Sequence, residues 1–149
     1  MSPLRTSPIS AQAVELQRWL LTDGDELRRL RTDVRTALLI FRLVDRELLH
    51  ELPDRVVLVA TELAGNALRH GRPPAVVRLL RADGHFILDV ADHDPATAPE
   101  LAAVHDANGG GRGLHIARSL SLEVCWYATE VAKHVWASFP MNPAAPSGR

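Results

Sequence analysis

The run from Val56 to Leu68 is apolar almost all the way round when wound as a helix. Within it Val56, Ala60, Leu63 and Ala67 recur at helical spacing as a stripe that would face a core. Polar residues interrupt the run in register. Glu62, Asn66 and His70 stand at i, i+4 and i+8, each about one turn above the last on a single face. Pro53 opens this helix, and Gly71, followed by Pro73 and Pro74, ends it. Upstream, Asp23-Gly24-Asp25 breaks the preceding pattern and offers an N-cap. From there Leu27, Leu30, Val34, Ala37, Leu38, Phe41, Val44 and Leu48 recur every three or four residues, which predicts one amphipathic helix reaching about Leu48. Val14, Leu16 and Arg18 to Leu21 read as a short strand, although a helix would also accommodate them.

After Gly71 the period changes to two. Ala75–Arg81 and Phe86–Asp92 flank Asp83-Gly84, a pair that favours a tight hairpin turn, and the second run leaves Asp92 at the mouth of the sheet. From His93 to Gly109 no strong period holds, and loops of that length in a compact domain are usually functional. Gly109-Gly110-Gly111-Arg112-Gly113-Leu114 then opens a helix through about Leu120, and β-type runs at Leu122–Thr129 and Val131–Phe139 close the pattern.

Composition narrows the class. The 149 residues make one domain of ordinary size, with an ordered core of about 14–139 and loose Pro-, Ser- and Ala-rich tails at 1–10 and 141–149. A hydrophobic share of 46% beside 23% charged residues reads as a soluble globular protein. The formal net charge is −1 with acids and bases interspersed, so direct nucleic-acid binding is not expected. No apolar run approaches the roughly 18 residues that span a bilayer, and Met1 to Ser10 lacks the apolar core of a signal peptide. No membrane contact is expected, and the expected compartment is the cytoplasm. A lone Cys125 excludes an internal disulfide framework and reads as a small buried hydrophobe. Trp126 and Trp136, in strand-like runs, read as sheet-face packing. Arg28, Arg29, Arg31 and Arg35 line the polar side of the first helix; a solvated face explains them better than an acidic partner.

The chemistry concentrates on the second helix. A carboxylate and a carboxamide among apolar neighbours cost free energy unless something satisfies them. A hydrated Mg²⁺ carrying a polyphosphate would do so, because hard cations take oxygen ligands and keep several waters. Gly65, which costs roughly 1 kcal/mol against alanine inside a helix, fits a close approach there. An ordinary solvated face accounts for the same three polar residues equally well. The glycine cluster, which taken alone reads better as a flexible turn, tips the balance through its order and spacing after the polar helix and the strand ending in Asp92. Four glycines within Gly109 to Gly113, just before a helix, let backbone N–H groups turn toward an anion at the positive helix end. His115, early in that helix, would reach either a phosphate or a cap. His50, on the first helix, reads as a surface or interface residue.

Three motifs in this order carry a resemblance: Glu62 to Gly71, the strand ending at Asp92, and Gly111-Arg112-Gly113-Leu114. Over about residues 14 to 139 the chain is similar to the small anti-sigma-factor serine kinases, stand-alone ATPases of the GHKL (Bergerat-fold) superfamily. Glu62 to Gly71 resembles their N box, and Lys133-His134-Val135-Trp136 their closing strand. The resemblance implies an α/β sandwich, with a mixed, mainly antiparallel sheet and helices packed on one face. It implies that Asn66 holds Mg²⁺, that Glu62 is general base or water positioner, and that Asp92 accepts a hydrogen bond from the adenine amine. His70, Gly109, Gly110, Gly111, Arg112, Gly113 and Leu114 would complete the ATP site. The implied substrate is a serine of an anti-sigma-factor antagonist, the implied second partner is a sigma factor, and a homodimer is one assembly it allows.

Two departures stand out. The family's Asp-x-Gly-x-Gly box reads Asp92-His93-Asp94-Pro95-Ala96 here, and Ala132 and His134 replace the usual Gly and Thr of the closing strand. A sensor histidine kinase would need a further helix pair with a phospho-accepting histidine. A regulatory module that binds ATP or a protein without transferring phosphate is the alternative, supported by the altered box.

Overall fold

Asp83-Gly84 forms the tight turn its sequence predicts, with Gly84 at φ +72°, a left-handed conformation that carries no Cβ penalty in glycine. It joins β3 (Ala75–Ala82) to β4 (His85–Asp92) in antiparallel register, with Ala82 opposite His85 and Val76 opposite Ala91. The rest of the sheet grows outward from this hairpin in a computed structural model that describes residues 4–44, 52–99, 117–118 and 120–141. β2 (Val14–Leu21) adds to β3, β6 (Lys133–Pro140) adds to β4, and β5 (Glu123–Ala128) adds to β6, all antiparallel. β1 (Arg5–Thr6) pairs with β5 in parallel, giving the order β1-β5-β6-β4-β3-β2. The sheet is therefore mixed and mainly antiparallel, as expected.

Alternation along the strands separates two faces. Phe86, Leu88 and Val90 of β4 join Val77, Leu79, Ala137 and Phe139 in the main core, where the Phe86 and Phe139 rings stack with centroids 5.4 Å apart. Two helices cover this face, α1 (Gly24–Ile40) through Leu30, Val34 and Leu38, and α2 (Leu52–His70) through Val56, Val59, Ala60 and Leu63. On the helix-free face Leu80, Ile87, Cys125 and Trp136 form a smaller cluster. Burial there pushes the Cys125 thiol up to about 11, so it packs rather than reacts. Among the described residues no helix is long and apolar enough to cross a membrane.

α1 starts as its sequence directs. Asp23 accepts from the Glu26 N–H at 3.0 Å, while Glu26 reaches back to the Thr22 N–H and hydroxyl at 2.8 and 2.6 Å. Arg28 pairs with Asp25 and Arg35 with Asp54, so two of the four arginines on its outer face are answered by local acids.

The end of α1 differs from expectation: the helix stops at Ile40 and does not run on toward Leu48. Arg42 takes the left-handed conformation at φ 54°. The Leu43 N–H then bonds the Leu38 carbonyl at 2.9 Å and the Arg42 N–H bonds that of Leu39 at 3.1 Å, a Schellman closure. Val44 is buried from outside the helix, so the apolar spacing continues where the helix does not. Leu48 and His50 lie outside the described residues. Since Arg42 is exposed and its backbone suits glycine, Arg42→Gly is expected to stabilise the chain by about 0.5–1 kcal/mol in a urea titration.

The first ten residues are not all loose. Leu4 is buried, Arg5 pairs with Cys125 and Thr6 with Trp126. The Ser7 N–H bonds Trp126 O at 3.0 Å, and Trp136 Nε1–H donates to Ser7 O at 2.9 Å. β1 and β2 occupy opposite edges of the sheet, and residues 7–13 connect them across the helix-free face, where Ile9 and Ala13 pack on the smaller cluster.

Candidate functional site

α2 owes its position to the buried side of its stripe, and that burial fixes where its polar side looks. Leu63, Ala64 and Ala67 are buried against the sheet. Glu62 and Asn66 are left half-buried on the outer side, and His70, the last helical residue, is exposed. Among the described residues no hydrogen bond or ion pair engages the Glu62 carboxylate. Asn66 is engaged: its Oδ1 accepts from an Arg69 guanidinium N–H at 2.9 Å. Arg69 gets there by lying over Gly65, where an added Cβ would stand 3.1 Å from the guanidinium nitrogen. The close approach that Gly65 suggests is thus made by Arg69.

Asp92 is the last residue of β4 and, at 4% exposure, a buried carboxylate. It needs partners, and it has them. Oδ1 accepts from the Asp94 N–H at 2.8 Å. Lys133, directly across the β4–β6 ladder and itself 7% exposed, places its Nζ 3.5 Å from Oδ2 and donates to Thr97 O at 3.0 Å. Gly71 leaves room beside Oδ2, since a Cβ built on it would collide with Asp92 Oδ2 and Cγ. The Gly71 N–H also bonds Ala67 O at 3.0 Å, so the end of the polar helix and the buried carboxylate share one locality.

The segment after β4 shows how the chain turns without the two expected glycines. Asp92 accepts from the N–H two residues on, and Asp94 does the same for Ala96 at 3.3 Å, so two successive Asx turns shape the backbone. The Thr97 hydroxyl holds the Asp94 carboxyl below the usual aspartate range, with the Ala96 N–H and the charges of Lys133 and Arg72 acting in the same direction. His93 fastens this turn to the α2–β3 connection, its N–H on Arg72 O at 2.9 Å and its Nδ1 3.1 Å from Pro74 O.

His134, in the place of the family's threonine, does not face Asp92. It lies opposite Ala91 on the helix-free side, with its Nδ1 3.0 Å from the buried Asp89 and its ring stacked on Tyr127 at 4.5 Å. Arg78 completes that cluster, its Nε–H donating to Asp89 at 2.9 Å. Period-two alternation puts Lys133 beside Asp92 and turns His134 away.

Gly109, Gly110, Gly111, Arg112, Gly113, Leu114 and His115 lie outside the described residues, as does all but the start of the loop from His93. Among the described residues no cluster of three or more His, Cys, Asp or Glu side chains could cage a metal. The Asn66 side chain offers an oxygen donor of the type that would suit Mg²⁺, which takes few protein ligands when phosphates and waters complete its shell. The Arg69 guanidinium occupies Asn66 Oδ1 as a hydrogen-bond donor and would have to move aside for a metal ion.

The profile of the histidine kinase-like ATPase domain matches residues 24–139, which cover both helices, the Asp92 locality and the closing strand. The chain belongs to that family. As a histidine kinase-like ATPase domain it carries an ATP-binding fold of the phosphotransfer kind. Its fold is also similar to the crystal structure of the RsbU and RsbW domains of Rv1364c from Mycobacterium tuberculosis, with a TM-score of 0.58 at 18% identity over 85% of this chain. The chain spans 33% of that structure's length. The histidine kinase AdeS of Acinetobacter baumannii matches more distantly, with a TM-score of 0.45 and 14% identity over 85% of this chain and 68% of that one. No curated protein matches this domain in sequence.

The domain also holds residues that sequence reasoning left without a role. Arg69 was visible, three residues after Asn66 on a predicted helix. Gly71 reads from the sequence as a helix terminator and the last residue of the N box. Lys133 needed the β4–β6 register, which no local pattern supplies.

Proposed function

We propose that the chain is an ATP-binding anti-sigma regulatory factor. In this reading it is a serine kinase that phosphorylates an anti-sigma-factor antagonist in the cytoplasm and sequesters a sigma factor. The observation that carries the proposal is the outward Glu62–Asn66 stripe of α2 ending beside the buried Asp92. In this reading Asp92 accepts from the exocyclic amine of adenine, and its carboxylate keeps lone-pair capacity beyond the donors it already has. Asn66 would hold Mg²⁺, whose charge would neutralise that developing on the phosphates. Glu62, free of local partners, takes the proton of the incoming serine hydroxyl. His70 and the run from Gly109 to Leu114, with the cation of Arg112, are assigned to the phosphates.

One observation favours a second reading, a binder that does not transfer phosphate. Asp94 and Ala96 stand where the family has glycines, and Asp94 holds a negative charge near the nucleotide. Incubation with labelled ATP, Mg²⁺ and the antagonist proteins encoded alongside this chain separates the two. Phosphoserine on an antagonist is the expected result. ATP binding with no phosphate on any of them would establish the silent binder.

A further inference from the structure

Gly71 invites a question, because its backbone does not require glycine. Among the described residues Gly84 is the glycine at positive φ, so conformation does not explain position 71. Space does. A Cβ there would overlap the Asp92 carboxylate and come within 2.7 Å of Ala67 O. From across the ladder, buried Lys133 supplies the opposite charge and ties the same carboxylate to Thr97 O in the segment that follows. Three groups from three elements therefore fix one side chain: the gap at Gly71, the Asp94 N–H, and the Lys133 ammonium.

We propose that Gly71 and Lys133 are positioning residues that seat Asp92 for recognition of the nucleotide base. The proposal rests on the reading of Asp92 as the adenine contact. Gly71 vacates the volume the carboxylate needs, and Lys133 draws it to one rotamer, which leaves one side of the carboxylate for a donor. A seated carboxylate accepts from the adenine amine and repels the carbonyl oxygen that guanine presents at the same position. A carboxylate displaced by a methyl group at position 71 loses both effects.

The test is a double-mutant cycle on the full chain, with ATP and GTP affinities from calorimetry and melting temperatures from thermal unfolding. Gly71→Ala is expected to lower ATP affinity about tenfold or more, the worth of one hydrogen bond to a charged group, and to erase the preference over GTP. Made in Asp92→Ala, the same change should lose most of its effect on both affinity and melting temperature; the contact with Ala67 O remains in either background and sets the baseline. Lys133→Arg should keep the ATP preference and Lys133→Met should lose it.

Equal losses from Gly71→Ala with and without Asp92 would overturn the proposal, because the glycine would then serve something other than that carboxylate. So would an unchanged ATP-to-GTP ratio in both Gly71→Ala and Lys133→Met. Equal ATP and GTP affinity in the unmodified chain would overturn it by another route, removing base reading by Asp92 itself. That case is recognisable, because the melting temperatures would still show Gly71 and Asp92 to be coupled.

Discussion

Glu62→Gln is expected to leave ATP affinity unchanged and to slow phosphate transfer to the antagonist by about 10²–10⁴-fold, the usual contribution of general base catalysis. The carboxamide matches the carboxylate in shape but cannot take a proton. Glu62 is half-buried on the outer side of α2 and engages no described partner, so the change leaves no orphaned group behind. Binding by calorimetry and phosphoserine formation under single-turnover conditions should be measured on the same preparation. Transfer at the unmodified rate would remove Glu62 from the chemistry. A parallel loss of ATP affinity would make it a binding residue instead.

Asn66→Ala acts earlier, on the metal. Its carboxamide oxygen is the one neutral oxygen donor on the polar stripe, and Arg69 bonds it at 2.9 Å. The variant is expected to abolish Mg²⁺-dependent ATP binding while the melting temperature holds or rises slightly, because alanine is the better helix former. Titrations of ATP with Mg²⁺ and with a chelator give the contrast. Equal affinities in Asn66→Ala and the unmodified chain would end the metal-ligand assignment.

Elements governed by their own residues were legible in the sequence. The apolar stripe placed α2, Asp23 placed the start of α1, and Asp83-Gly84 placed the hairpin. Elements governed by distant residues were not. β1 is two residues between prolines, too short to show a period, and it exists because β5 offers it a parallel edge. The end of α1 was hidden because Arg42 takes a conformation that glycine usually announces, while Val44 keeps the apolar spacing alive. The candidate site divides in the same way. Glu62, Asn66 and Asp92 were singled out by spacing and resemblance. The roles of Gly71 and Lys133 depend on side chains that meet only when α2, β4 and β6 are assembled.

The strap from β1 to β2 has a kinetic consequence. Five strand spacings separate the two edges of the sheet, about 24 Å at 4.8 Å each. The eight-residue step from Thr6 to Val14 reaches at most roughly 27 Å, and it includes a turn in which the Ala13 N–H bonds Ser10 O at 3.1 Å. Its anchors, Cys125, Trp126 and Trp136, belong to the last two strands among the described residues. Ser7 and Trp136 stand 129 positions apart, so closing the strap is a long-range step that waits for β5 and β6 to pair. It is expected to lock last, as the piece that completes the sheet.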